Sequence, residues 1–301
     1  MRDLHELPKL RDSLSYLYLE HAIINQSDLA IEATTDMGRT MVPIANLSVL
    51  MLGPGTSITH AAVRALADNG CSVVWVGEDG MRCYAHGSGE TRKAYRLLHQ
   101  AYLVSHPELR EQVVLNMYHA RFGGELDRGL TLPQIRGKEG VRVRTAYARA
   151  SRTYGVKWDG RRYDRSKWER ADPINRALSA ANALLNGLCH AAIVSGGYSP
   201  GLGFIHTGRQ FSFVYDIADL YKIDITIPVA FETVAKSKRD LEARVRQACR
   251  ERFREEKLLE RILPDIDRLL DLKEAPYDKF TDADSEYAPP GTLWEALEGE
   301  V

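Results

Sequence analysis

The hydrophobic pattern changes once along the chain, and this change constrains the fold more than any other feature. Up to residue 88, apolar residues form short runs such as 47–52 and 71–76, which have the length of buried strands. From Glu90 onward, apolar residues recur every three or four positions, which is typical of helices. We therefore predict an α+β protein, with a β-rich N-terminal domain containing one helix (1–88) and an all-α domain (89–272).

Local signals predict the individual elements. Residues 15–20 and 29–32 alternate imperfectly, as half-buried strands do, and residues 34–38 form a turn between strands. Thr56 or Ser57 can cap the helix of the first domain, which spans about 59–68 and ends at Asn69-Gly70. In the second domain, helices are predicted over 93–105, 107–122, 139–154, 172–194 and 239–263. The helix that begins at Asp172-Pro173 is apolar on several faces, so we expect it at the centre of that domain.

Charge is unevenly distributed along the sequence. The segment 273–301 has eight acidic and two basic residues and three prolines, so we expect a flexible acidic tail. The segment 136–170 has twelve Lys or Arg and four Asp or Glu residues. Such a basic segment suits a polyanion, because each neutralised phosphate releases condensed counterions. A solvated helix face rich in arginine would have the same composition, so charge alone leaves both interpretations open.

Composition argues against several other classes. No apolar run approaches the ~20 residues of a membrane span, and the first residues lack the pattern of a secretory signal. The four cysteines are far apart and form no C-x-x-C pair, which argues against a zinc knuckle and a disulfide framework. We therefore expect a cytoplasmic protein.

Glu139 is a charged residue on the apolar stripe of a predicted helix. In a helix over 139–154, it shares one stripe with Val143, Ala146, Ala150 and Tyr154, so a carboxylate is in phase with the buried face. A buried carboxylate is stable when it is paired, protonated or bound to a metal. Pairing with a nearby arginine is the simplest of these solutions, and the spacing leaves all three open.

A second polar group follows about 65 residues later. Glycines surround His206 and allow tight turns that direct its imidazole inward. Asp216 and Asp219 then lie three residues apart on one face of a predicted helix, where they repel each other unless a cation lies between them. One Glu, one His and one Asp together are a plausible set of ligands for Mg²⁺ or Mn²⁺.

Several segments resemble one family, in order and without large gaps between about residues 10 and 255. They are QIRGKEG (134–140), YGVKWDGRRYD (154–164), GFIHTG (203–208), the stretch 211–222 with its DIAD core, THAAVR (59–64) and VVWVG (73–77). The chain resembles the universal CRISPR adaptation integrase, the first of the CRISPR-associated proteins, in its type I-E branch.

The resemblance implies a homodimer whose metal ligands are Glu139, His206 and Asp219, with Asp216 as an additional catalytic acidic residue. It also implies a small ferredoxin-like partner that assembles with two such dimers. The implied reaction joins the 3′-hydroxyl ends of captured foreign DNA to a repeat array by transesterification. Two alternatives stay open: an endonuclease that hydrolyses branched DNA, and a DNA-binding scaffold without catalysis.

The resemblance and the charge pattern together suggest which residues contact double-stranded DNA. In the N-terminal domain, to which we assign dimerisation and DNA backbone contact, these are two arginines. Near the metal, arginines would position phosphates, and two tyrosines would stack on an unpaired end that the tail could cover. The predicted DNA-binding residues are Arg64, Arg82, Arg136, Arg142, Arg161, Arg162, Tyr163, Arg209 and Tyr215. Simple surface arginines, and tyrosine rings that belong to the core beside an inert tail, are the alternatives.

Overall fold

Two four-stranded sheets precede a helical region, which confirms the predicted α+β class. The structure, a computed structural model, describes residues 16–78, 83–87, 94–123, 126–127, 129–161 and 172–272. The strands are β1 (Tyr16–Leu19), β2 (Ile23–Ser27), β3 (Ala30–Thr35), β4 (Gly38–Pro43), β5 (Val49–Leu52), β6 (Ser57–Ile58), β7 (Ser72–Val76) and β8 (Cys83–Gly87). The predicted acidic tail lies outside the described residues.

The first sheet has the strand order β1-β5-β7-β8. Its first three strands are parallel, and β8 pairs antiparallel with β7. Every residue of β5 is buried, which explains why this strand has an unbroken apolar sequence. The second sheet has the order β4-β3-β2-β6, and its turn between β3 and β4 confirms the predicted turn.

One helix, α1 (His60–Asp68), packs against these strands, as predicted. Its cap is Thr59, whose side chain accepts a hydrogen bond from the amide of Ala62. The expectation of Thr56 or Ser57 was wrong, because Ser57 belongs to β6 and pairs with β2. Gly70 follows the helix with φ of +62°, a conformation that favours glycine.

The helical region differs from its predicted outline at three places. Helix α4 begins seven residues before the expected Glu139, because Thr131 and Gln134 form a capping box. The helix expected over 239–263 is two helices, since Lys257 has φ of +47°. Helix α7 had not been predicted. The helices are α2 (Tyr95–Ser105), α3 (Pro107–Arg121), α4 (Leu132–Tyr154), α5 (Pro173–Ser195), α6 (Ser212–Ala218), α7 (Ile227–Lys236), α8 (Leu241–Glu255) and α9 (Leu258–Leu269), with a π-helical segment over Lys222–Thr226.

Helix α5 is the centre of the structure, as its sequence predicts. Asp172 caps it by accepting a hydrogen bond from the amide of Asn175. It packs against α6, α7, α8 and α9, and near its end Ala191 and Val194 contact the apolar face of β5 and β7. By length and composition α5 could cross a membrane, but 78% of its apolar window is buried inside the protein. Its hydrophobic surface is therefore used by the core.

Candidate active site

The buried carboxylate of Asp216 organises the loop that precedes its own helix, α6. Its oxygens accept hydrogen bonds from the amides of Phe204 (2.6 Å), Ile205 (3.1 Å) and His206 (2.9 Å). Gly203 makes this tight loop possible, since a Cβ there would collide with the carbonyl of His206 and with Ser212. Three amides directed at one fully buried carboxylate fix the loop and stabilise the negative charge.

The same carboxylate orients the imidazole of His206. The Nδ1 atom of His206 lies 2.6 Å from Oδ1 of Asp216, so Nδ1 carries the proton and donates it to the carboxylate. In the neutral ring, this leaves a lone pair on Nε2, the arrangement found behind metal-binding histidines. Nε2 lies 4.0 Å from Oδ2 of Asp219. Asp216 thus supports the site from behind His206, and its oxygens are occupied by the loop.

Glu139 and Asp219 each divide their two oxygens between cations. Oε2 of Glu139 accepts a hydrogen bond from Nε of Arg142 at 3.0 Å. Pairing with an arginine was one of the three solutions that the sequence left open for this carboxylate. Oδ1 of Asp219 accepts from Nζ of Lys222 at 2.6 Å. The remaining oxygens, Oε1 and Oδ2, lie 3.7 and 3.5 Å from the guanidinium of Arg121. A single arginine at the end of α3 therefore connects carboxylates from α4 and from the end of α6.

These cations set the charge state of Asp219. Burial alone would raise the pKa of its carboxyl group, but the charges of Lys222 and Arg121 outweigh burial and hold that pKa below its usual value. Asp219 is therefore ionised at neutral pH and available as a ligand.

The donor set is suited to a divalent ion such as Mg²⁺ or Mn²⁺. It offers two carboxylates and an imidazole nitrogen whose other side is fixed by Asp216, which is the chemistry such an ion requires. In the part of the chain that the structure describes, no three His, Cys, Asp or Glu side chains are close enough to hold one ion as they stand. Instead, Arg121 lies between Glu139 and Asp219 and forms an ion pair with each.

Sequence reasoning missed two of the site's cations. Lys222 was detectable, since it follows Asp219 by three residues and such pairs interact on a helical turn. Arg121 is 18 residues before Glu139 and 98 before Asp219, and no spacing rule connects it to either. Only the packing of α3 against the site brings it there.

The predicted DNA contacts near the site occupy different environments. Arg136 and Arg209 are exposed and available for phosphates. Arg142 is half-buried and already paired with Glu139. The ring of Tyr215 is half-buried and lies 6.0 Å from the imidazole of His206, edge to face.

The other predicted DNA contacts lie further away. Arg64 is exposed on α1 and forms a loose pair with Asp68 at 3.6 Å. The guanidinium of Arg161 donates to the carbonyl and side chain of Asn175 and to Ser179, so it attaches its segment to α5. The remaining residues, Arg82, Arg162 and Tyr163, lie outside the described residues.

Comparisons with known proteins identify the family of the chain. The family model "CRISPR associated protein Cas1" matches residues 118–250, a range that contains Arg121, Glu139, His206, Asp216 and Asp219. "CRISPR-associated endonuclease Cas1 2" of Thermus thermophilus is 55% identical over 300 residues, 100% of this chain and 92% of the relative. The chain belongs to the Cas1 family. Another Cas1 relative, from a Clostridium species, is 43% identical over 98% of this chain and 96% of its own. The solved structure "Crystal structure of TtCas1-DNA complex" has a TM-score of 0.79 and 57% identity, covering 88% of this chain and 99% of that one.

Proposed function

We propose that this Cas1 chain is a divalent-metal-dependent DNA integrase and endonuclease that joins the 3′-hydroxyl ends of captured foreign DNA to a CRISPR repeat array. The observation that carries the proposal is the arrangement of His206, which Asp216 orients toward Asp219, with Arg121 linking the carboxylates of Asp219 and Glu139. Relatives named as CRISPR-associated endonucleases and a related Cas1–DNA complex support it.

The reaction is a transesterification at phosphorus. The 3′-oxygen of the incoming strand forms a new P–O bond, and the bond between phosphorus and the repeat strand's 3′-oxygen breaks. The attacking hydroxyl loses a proton and the leaving oxygen gains one, so no oxidant or nucleotide triphosphate is required. Mg²⁺ or Mn²⁺ held by Glu139, His206 and Asp219 would polarise the phosphoryl oxygens and stabilise charge on the entering and leaving oxygens.

The chain's own residues prepare the site for a phosphodiester. Asp216 keeps the proton of His206 on Nδ1, so that Nε2 faces Asp219 as a donor of electrons. Arg136 and Arg209 are exposed near the site and can bind phosphates by donating charge-assisted hydrogen bonds to their oxygens. Tyr215 holds one edge of His206 and offers an aromatic surface to an unpaired base.

The proposal includes an assembly. The chain would act in the cytoplasm as a homodimer through its N-terminal domain (1–88), bind double-stranded DNA, and combine with a small ferredoxin-like CRISPR adaptation partner. The helical domain (89–272) would hold the metal, and the tail (273–301) would lie over a DNA end. Of these proposed partners, DNA is supported by a related structure, the TtCas1–DNA complex.

A joining assay tests the proposal against its alternatives. The full chain, with and without the small partner, is incubated with Mn²⁺, a short duplex with free 3′-hydroxyl ends and a supercoiled plasmid carrying a repeat. Covalent transfer of the labelled duplex to the plasmid supports integration. Cleavage of branched DNA without joining would instead support a hydrolytic endonuclease. Binding without either reaction, in the presence of Mn²⁺, would support a scaffold.

A further inference from the structure

Arg121 is a buried arginine at the centre of the site. Its side chain is 4% exposed, and its position at the end of α3 directs the guanidinium between α4 and α6. Nη1 lies 3.7 Å from Oε1 of Glu139, and Nη2 lies 3.5 Å from Oδ2 of Asp219. These are ion-pair distances rather than hydrogen bonds of ordinary length. Nη2 donates one such bond, to the carbonyl of Asp216 at 3.2 Å.

The two oxygens that Arg121 approaches, the inward oxygens, are Oε1 of Glu139 and Oδ2 of Asp219. The outer oxygens of Glu139 and Asp219 are taken by Arg142 and Lys222. Oδ2 of Asp219 is also the atom that Nε2 of His206 faces. The positive charge of Arg121 therefore adjoins the same atoms that a divalent ion would use.

The bonding of Arg121 differs from that of a simple structural arginine. Its buried Nε has no hydrogen-bond partner among the described residues, whereas buried polar groups are normally satisfied. Arg110, on the same helix, is bonded differently: its Nε and Nη2 both donate to the carbonyl of Phe204, in the loop before α6, at 3.2 and 2.9 Å. Arg110 contacts a carbonyl, and Arg121 adjoins two carboxylates. Charge, more than hydrogen bonding, accounts for the position of Arg121.

We propose that Arg121 is a positioning residue that acts as a resident counter-cation. It holds Glu139 and Asp219 close together while no divalent ion is bound, and the ion competes with it for their inward oxygens when it enters. This inference rests on the proposed metal site. It assigns Arg121 two opposite effects, because the residue stabilises the metal-free protein and weakens the binding of the ion.

A variant with a neutral side chain at position 121 distinguishes the effect on stability from the effect on ion binding. In Arg121→Met, the carboxylates lose their shared cation, so the metal-free protein should unfold at a lower temperature. The ion no longer meets a positive charge beside its ligands, so Mn²⁺ should bind on the order of tenfold more tightly. Arg110→Met is the matched control, since it removes an arginine from the same helix that contacts a backbone carbonyl and, among the described residues, pairs with no carboxylate. Its Mn²⁺ affinity should equal that of the native chain.

The experiment uses the full chain. Mn²⁺ binding is measured by electron paramagnetic resonance of the free ion, and the midpoint of thermal unfolding (Tm) is measured in chelator and in excess Mn²⁺. The expected result is a larger Mn²⁺-induced rise in Tm for Arg121→Met than for the native chain, because tighter binding stabilises the folded state more. If that variant does not fold in chelator, Arg121→Lys carries the test. Lysine reaches one carboxylate at a time, so the Mn²⁺-induced rise must again exceed the native one.

Three outcomes overturn the inference or its basis, and they can be told apart. Weaker Mn²⁺ binding by Arg121→Met would mean that Arg121 builds the ligand geometry instead of competing with the ion. An equal loss of Tm in chelator and in Mn²⁺, with unchanged affinity, would mean that Arg121 only packs. A native chain that binds no Mn²⁺ would instead remove the proposed metal site itself.

Discussion

A buried histidine at the junction of the sheet and the helical core should make stability depend on pH. His190 lies on α5 with 7% of its surface exposed. Its ring lies 4.9 Å from that of Phe211 and 6.2 Å from that of His86 on β8. Burial, and to a smaller extent the charge of His86, lower the pKa of His190 to about 4. His190 is therefore neutral in the folded protein near neutral pH.

The sign of the effect follows from linkage. The unfolded chain takes up a proton on this residue at about pH 6.5 and the folded chain at about pH 4, so the unfolded state binds more protons between these values. Stability from the neutral ring is fully present above about pH 6.5 and is lost as pH falls toward 4. Between pH 7.5 and 5.5 the loss is about 1.3 kcal/mol. Because pH 5.5 lies above the folded pKa, this loss depends almost entirely on the unfolded value.

The perturbation is His190→Leu, which removes the titrating ring and keeps an apolar side chain beside Phe211. Urea unfolding of both proteins in chelator, at pH 7.5 and 5.5, gives the free energy of unfolding at each pH. Native stability should fall by about 1.3 kcal/mol more than that of the variant over this interval.

The control is His86→Gln, which removes the smaller cause of the shift and leaves His190 buried. It should retain most of the native pH dependence. If His190→Leu and the native chain lose the same free energy between the two pH values, the burial argument for His190 is refuted.

Further expectations concern individual side chains. Glu139→Ala should lower strand joining at least about hundredfold while duplex affinity stays within about threefold, as joining and filter-binding assays would measure, since phosphate contacts supply most affinity. Asp216→Asn should destabilise the protein by about 2–4 kcal/mol in urea unfolding, because its carboxylate accepts three amides and the imidazole of His206; a change below about 0.5 kcal/mol would contradict this. Arg161→Ala should cost about 1–2 kcal/mol through its lost bonds to α5, whereas reduced DNA affinity at unchanged stability would favour the DNA role inferred from the sequence. Arg64→Ala should leave stability within about 0.5 kcal/mol and reduce the salt slope of DNA binding by about one, and an unchanged slope would count against a DNA contact there.

Sequence predicted those parts of the fold that local chemistry determines. The change of hydrophobic period gave the α+β class, and Asp172-Pro173 gave the start of α5, because cap and period act over a few residues. The capping box of Thr131 and Gln134 is equally local and could have been found, yet the apolar stripe after Glu139 drew the predicted start of α4 there. The break at Lys257 left no such signal, since the residue adopts a positive φ without being glycine.

For the candidate site too, residues close in sequence could be predicted, whereas a residue placed by packing could not. Asp216, Asp219 and His206 fall within 14 residues, so spacing and glycine content indicated that they act together. Spacing alone did not separate their roles: the resemblance assigned Asp219 as a metal ligand and Asp216 as the acidic residue beside it, and the structure adds that Asp216 is buried and bonded to the loop before α6, whereas Asp219 lies at the end of α6. Arg121 could not be predicted, since its place depends on how α3 packs.

The balance of charges in the site should couple the binding of a divalent ion to the binding of DNA. Three carboxylates, Asp216, Glu139 and Asp219, lie close to three cations, Arg121, Arg142 and Lys222, so the group is formally balanced. A divalent ion that enters adds two positive charges to this balance, and a phosphodiester that enters adds one negative charge. Each therefore offsets the charge that the other introduces, in a partly buried place where such interactions are weakly screened. If the proposed function holds, ion and DNA should strengthen each other's binding by the same factor, because coupling between two ligands is reciprocal. The cations that pair with Glu139 and Asp219 would then keep the affinity of the site for an ion low until DNA binds.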